Sequence, residues 1–213
     1  HAGVRDSFYA AADPDMRRAL HRDIARSLKG RVSDDPELLF DAAYHFMRAD
    51  ADEEALSFAF AAGETALGVF ALDSAEEFFS FCASGGGTGL PSPLVFRAKV
   101  MLCAILLARG SSSEAIAKLE DLLPRSPKDE AHEILAYLSL AYYRTGDMPR
   151  CEDLTRRGLR LLGEDIPRFA FPATALQAAR LLTARLFRRR GRLSGQRGRR
   201  ERALSSFWEN VAR

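Results

Sequence analysis

Two glycines, Gly110 and Gly146, lie 36 residues apart, and what surrounds them recurs at the same offsets. Leu102 and Leu106 precede the first as Leu138 and Tyr142 precede the second. Ala115 and Cys151 follow five residues on, Pro127 and Gly163 seventeen on. A glycine that closes one apolar helical run just before another begins is the mark of an α-hairpin. A period of this length indicates stacked units, each too small to bury its apolar face alone. No segment alternates apolar and polar residues with period two, so the chain reads as all-α.

The remaining segments also read at helical period. Asp13-Pro14 opens a helix, with Asp as cap and Pro at the first position, and Lys29-Gly30 stops it. Leu20, Ile24 and Leu28 form its apolar stripe. A second helix starts near Pro36 with Leu39, Phe40, Ala43 and Phe46, and residues 50–52 break it. A third runs over 53–70 on small residues, and the segment around Ala55 fits the second helix of the repeat less well than Ala115 or Cys151 does. Asp73 is read as the cap of a fourth helix, 74–83, and the glycine-rich stretch 84–91 as the most flexible loop of the chain. After Gly163 come a connector over 166–172, a helix over 173–188 and the start of another over 203–213.

Composition narrows the class. The chain has 213 residues, 47% hydrophobic and 28% charged, which suits a globular core and excludes global disorder. No apolar run reaches the ~20 residues that span a bilayer. Cys82, Cys103 and Cys151 are few and widely spaced, each in an apolar helical stretch. That excludes a disulfide framework and a CxxC site, and implies core thiols in a reducing, cytoplasmic setting. The chain does not begin with Met and is read as a fragment of a larger protein.

Catalytic patterns are missing from the sequence. The stretch 85–89 follows a helix and lacks the Lys-Ser/Thr pair of a nucleotide loop. His1, His21, His45 and His132 stand far apart and give no metal spacing; His21 and His45 are read as half-buried structural histidines. There is no GxSxG elbow. Acidic pairs such as Glu53/Glu54 and Glu76/Glu77 sit where helix first turns favour negative charge, and Ser111–Ser113 reads as a helix cap. No catalytic, cofactor-binding or metal residue is expected, so the segment is not read as an enzyme.

The one charge anomaly is residues 185–202, with nine Arg against one Glu. Its net +8 exceeds the +2 of the whole chain, leaving the rest at −6. Arg188, Arg189, Arg190, Arg192, Arg197, Arg199 and Arg200 are candidate polyanion contacts, for nucleic-acid phosphate or an anionic lipid surface. Three interspersed glycines and a single aromatic, Phe187, favour a solvated connector instead.

The 36-residue pair resembles the tetratricopeptide repeat, whose period is ~34. The repeat's Trp position holds Lys99 and Leu135, and its small position Cys103 and Ser139. A wider resemblance runs along the chain. His1-Ala2-Gly3-Val4-Arg5-Asp6-Ser7-Phe8-Tyr9, then Arg17-Arg18-Ala19-Leu20-His21-Arg22-Asp23-Ile24-Ala25, then Ala42-Ala43-Tyr44-His45-Phe46 are similar to consecutive segments of bacterial STAND-class signal-transduction ATPases. Residues 54–56 and 61–66, and Leu162-Gly163-Glu164-Asp165-Ile166-Pro167, are similar to further segments of that class. Ala2 stands where the family carries Asp. The resemblance implies a helical region beside a nucleotide-binding domain and winged helix. Such regions belong to LuxR-type regulators, adenylate cyclases and hybrid Ser/Thr or His kinases.

Together these readings give an all-α, tetratricopeptide-like hairpin array, a right-handed α-solenoid. Residues 1–30 would end a winged-helix or linker segment and form the first helix. Helical repeats would occupy 31–84, two tetratricopeptide-like hairpins 92–165, and a helix, Arg-rich connector and further repeat 166–213. The expected function is a non-catalytic interaction and regulatory module, without cofactor. It would bind a protein, a peptide or its own ATPase domain through Lys99, His132 and Tyr143. The alternative is a nucleic-acid-binding module acting through residues 185–202.

Overall fold

A computed structural model describes residues 12–32, 35, 37–49, 52–89, 92–128 and 130–163. The first STAND-like segment (1–9), the connector over 166–172, the helices expected over 173–188 and 203–213 and the Arg-rich stretch lie outside the described residues. Among those described, every regular element is a helix and no strand occurs. We number the α-helices α1 (Pro14–Lys29), α2 (Leu38–Ala49), α3 (Glu53–Gly68), α4 (Leu72–Ala83), α5 (Pro93–Ala108), α6 (Ser112–Leu122), α7 (Ala131–Thr145) and α8 (Met148–Leu161). The described residues form two compact units that meet between Lys99 and Val100, within α5, with Gly68–Phe70 grouped with the second.

In the first unit α1 packs on α2. Asp13 caps α1 by accepting from the backbone N–H groups of Asp15 and Met16, and Pro14 sits at the start. Gly30 ends this helix in right-handed geometry (φ −62°), not the left-handed one expected of it. Ala25, Phe46 and Ala55 form a buried cluster that Phe58 and Phe81 cover. The Phe46 and Phe58 rings lie 4.6 Å apart. Asp73 does not cap α4: the helix begins at Leu72, and Ala71 is its cap residue. Asp73 instead lies in the first turn, where its charge suits the helix dipole.

Of the glycine-rich stretch, residues 84–89 are described and form a hydrogen-bonded turn. Within it Gly85, Gly86, Gly87 and Gly89 all take positive φ (64°, 71°, 81° and 73°), a left-handed turn that glycine allows. Ser84 locks it, accepting from the Gly87 N–H at its hydroxyl (3.0 Å) and from the Gly89 N–H at its carbonyl (3.2 Å).

In the second unit α7 packs against both α6 and α8. Its residues 133–142 are all buried, so it is the central element there. The two hairpin turns match bond for bond. Gly110 has φ 87° and Gly146 φ 84°. The Ser111 N–H donates to the Leu106 carbonyl at 2.9 Å, and the Asp147 N–H to the Tyr142 carbonyl at 2.9 Å. The Ala115 N–H reaches the Ser111 carbonyl (3.1 Å), and the Cys151 N–H the Asp147 carbonyl (3.0 Å). The first bond of each turn satisfies a late carbonyl of one helix, and the second is the first i-to-i−4 bond of the next. Ser111 makes no side-chain cap, against expectation, whereas Asp147 accepts from the Arg150 N–H.

A third turn of this kind occurs 40 residues before Gly110. Phe70 takes φ 64°, the only non-glycine positive φ among the described residues. The Ala71 N–H donates to the Ala66 carbonyl at 2.9 Å, and the Ala75 N–H to the Ala71 carbonyl at 3.0 Å. The helix α3 is therefore the first member of a hairpin with α4, not a second-helix segment as its small residues suggested.

Candidate interaction surface

The same offsets carry over to the seams between paired helices. At the small position of the first helix stand Gly63, Cys103 and Ser139; at the facing positions of the second stand Ala75 and Phe79, Ala115 and Leu119, Cys151 and Thr155. All of them are buried. A Cβ on Gly63 would come 2.8 Å from the Phe79 ring, so only glycine fits there without a shift. In the third seam Ser139 and Thr155 hydroxyls bond each other, and Thr155 also donates to the Cys151 carbonyl at 2.7 Å. The three cysteines are buried and unpaired, as expected of core residues. Burial pushes the Cys82 thiol up to about 12 and that of Cys103 up to about 11, so neither is a nucleophile at neutral pH.

Tyr142 ties three helices of the second unit. Its phenol donates to Glu120 of α6 at 2.6 Å and accepts from Arg150 of α8 at 3.0 Å. Burial, then the Glu120 bond, raises its pKa. Arg144 of the same helix donates to the Leu107 carbonyl at 2.7 Å. These polar groups are spent on holding the helices together.

Lys99 is exposed on α5, in the first unit. His132 and Tyr143 both lie on α7 of the second unit; His132 is half-buried and Tyr143 exposed. Eleven residues separate them, three helical turns, so they share one face about 16 Å apart. The structure thus joins two of the three expected contact residues on one element. The seven arginines 188, 189, 190, 192, 197, 199 and 200 lie outside the described residues.

Two features escaped the sequence reading. One is an open recess of about 520 Å³ lined by Leu123, Pro124, Ala131, Leu135 and Leu161, with Arg157 and Arg160 at its border. Its lining comes from the turn that follows α6, the start of α7 and the end of α8, so no contiguous motif marks it. The other is a histidine pair: Nδ1 of His21 on α1 lies 2.8 Å from Nδ1 of His45 on α2. Tyr44 packs edge-on against both rings, and the Arg48 guanidinium covers the Tyr44 ring at 4.5 Å. Among the described residues no three or more His, Cys, Asp or Glu side chains converge as a metal site. No helix among them is long and apolar enough to cross a membrane.

No protein family, curated protein or solved structure matches the chain.

Proposed function

We propose that the chain is a non-catalytic protein-interaction and regulatory module, built as a tetratricopeptide-like hairpin array in a larger signal-transduction ATPase. The observation that carries this reading is the recurrence of one turn geometry at Phe70, Gly110 and Gly146. Serial hairpins of this kind expose one helix face per unit, and such faces recognise extended partners. In the second unit His132 and Tyr143, at the two ends of the buried α7, would touch a partner, and the apolar recess that Arg157 and Arg160 help to line would accept an acidic-apolar segment. Binding would act by favouring one state of the larger protein.

The test is a random-peptide phage selection on the whole chain, with Tyr143→Ala and Arg157→Glu/Arg160→Glu variants as counter-baits. Selected peptides should lose about tenfold or more affinity for one of the variants, a loss worth about 1.4 kcal/mol. Peptides that bind all versions alike, or appreciable ATP turnover by the chain itself, would contradict the reading.

A further inference from the structure

We propose that the His21–His45 contact is a proton-operated latch between α1 and α2, closed by one shared proton and opened by a second. The geometry sets the logic. At 2.8 Å the two Nδ1 atoms are within hydrogen-bond distance, so one must carry a hydrogen and the other a lone pair. Two neutral rings satisfy this. One neutral ring and one imidazolium satisfy it better, because the bond becomes charge-assisted. Two imidazolium rings cannot, since both Nδ1 atoms then donate and two like charges face each other. The contact therefore tolerates the first proton and fails at the second.

The surroundings act on both rings. Arg48 of α2 opposes a positive charge on either ring, and Asp41, one turn before His45, favours one on His45. Burial is the largest effect lowering both rings, and Asp41 partly offsets it at His45 alone. His21 is the more buried ring, 6% exposed, and burial, the His45 charge and Arg48 all act against its protonation. Arg17, Arg18 and Arg22 flank His21 along α1 and add no negative charge; Arg18 is held by Asp15. The nearest acids of α3, which reaches this end of the unit through Ala55, are occupied: Glu54 pairs with Lys29, and Glu53 accepts from the Ser92 hydroxyl.

The sign follows. Both rings are held below the ordinary histidine value, so the separated rings bind more protons than the paired ones. The contact is complete above about pH 6.5, survives the first proton, and is lost as pH falls through the lower of the two depressed values. A loss of the contact loosens the α1 half of the α1–α2 pair, which the Ala25–Phe46–Ala55 cluster and the Lys29–Glu54 pair still hold.

The test uses the whole chain with 15N-labelled histidine, titrated from about pH 8 to about pH 4.5. His21 and His45 should titrate as a coupled pair, with the second proton bound at least about one pH unit, or tenfold in concentration, below the first. Amide exchange at about pH 5, corrected for intrinsic rate, should rise about tenfold in α1 relative to about pH 7.5 and stay level in α8. His45→Gln keeps a hydrogen-bonding side chain without a titrating ring, and should cut the α1 rise to less than about threefold. Independent titration of the two rings near pH 6.5, or an equal α1 rise in His45→Gln, would overturn the latch. The titration of the unaltered chain decides the matter even if His45→Gln fails to fold.

Discussion

In the α3–α4 hairpin the helices meet as glycine against ring, Gly63 on Phe79; in α7–α8 they meet as hydroxyl against hydroxyl, Ser139 on Thr155. The turns joining these helices have the same hydrogen bonds, yet one places phenylalanine and the other glycine at the left-handed residue. Backbone geometry is thus common to the two regions, while the chemistry filling it differs. What the array requires at each position is a volume and a φ angle, and more than one residue supplies them.

The largest effect expected from breaking this comparison is at Phe79. Its ring is fully buried against Gly63 and lies 5.4 Å from the Phe60 ring. Phe79→Ala should cost about 3–5 kcal/mol in urea unfolding. Gly63→Ala comes next: the added methyl collides with that ring, and overpacking of about 1–3 kcal/mol outweighs the ~1 kcal/mol helix preference of Ala over Gly. Adding Phe79→Leu should recover part of the loss, a coupling that a double-mutant cycle reads directly. Gly146→Ala meets no neighbour within 4 Å but must hold φ 84°, and should lower stability by about 1–2 kcal/mol. Ser139→Ala removes one hydroxyl while Thr155 keeps its bond to the Cys151 carbonyl, and should cost about 1 kcal/mol. Phe70→Gly relieves the left-handed strain and should raise the melting temperature, by up to about 1 kcal/mol in stability.

This comparison also explains what the sequence made legible. Gly110 and Gly146 stood out because glycine advertises a left-handed turn, and their partners kept a constant 36-residue offset. The Phe70 turn did not, because phenylalanine carries no such signal. Its hairpin is also 40 residues from the next copy, and the extra four residues fall after Phe79, in the stretch holding the Gly85–Gly89 turn. Read by its small residues alone, α3 looked like the wrong half of a hairpin. Ser111 looked like a cap because serine accepts from helix N–H groups, but its hydroxyl makes no such bond, and the first N–H of the helix, that of Ser112, goes to the Gly110 carbonyl.

The functional features divide in the same way. His132 and Tyr143 stood out in the sequence as contact residues, and the structure places them at the two ends of the buried α7. The His21–His45 pair did not stand out, because 24 residues across an inter-helical loop carry no periodic signal, and only packing of α1 on α2 brings the rings together. The Arg157–Arg160 recess needs three segments at once and has no signature in any one of them.

The most direct measurement of the central claim is the backbone angle at Phe70 in solution, read beside Gly110 and Gly146. Strong intraresidue amide–Hα Overhauser effects, with left-handed Cα shifts at all three residues, would show one turn used three times, as the account predicts. A negative φ at Phe70, with the two glycines left-handed, would leave two copies and contradict it.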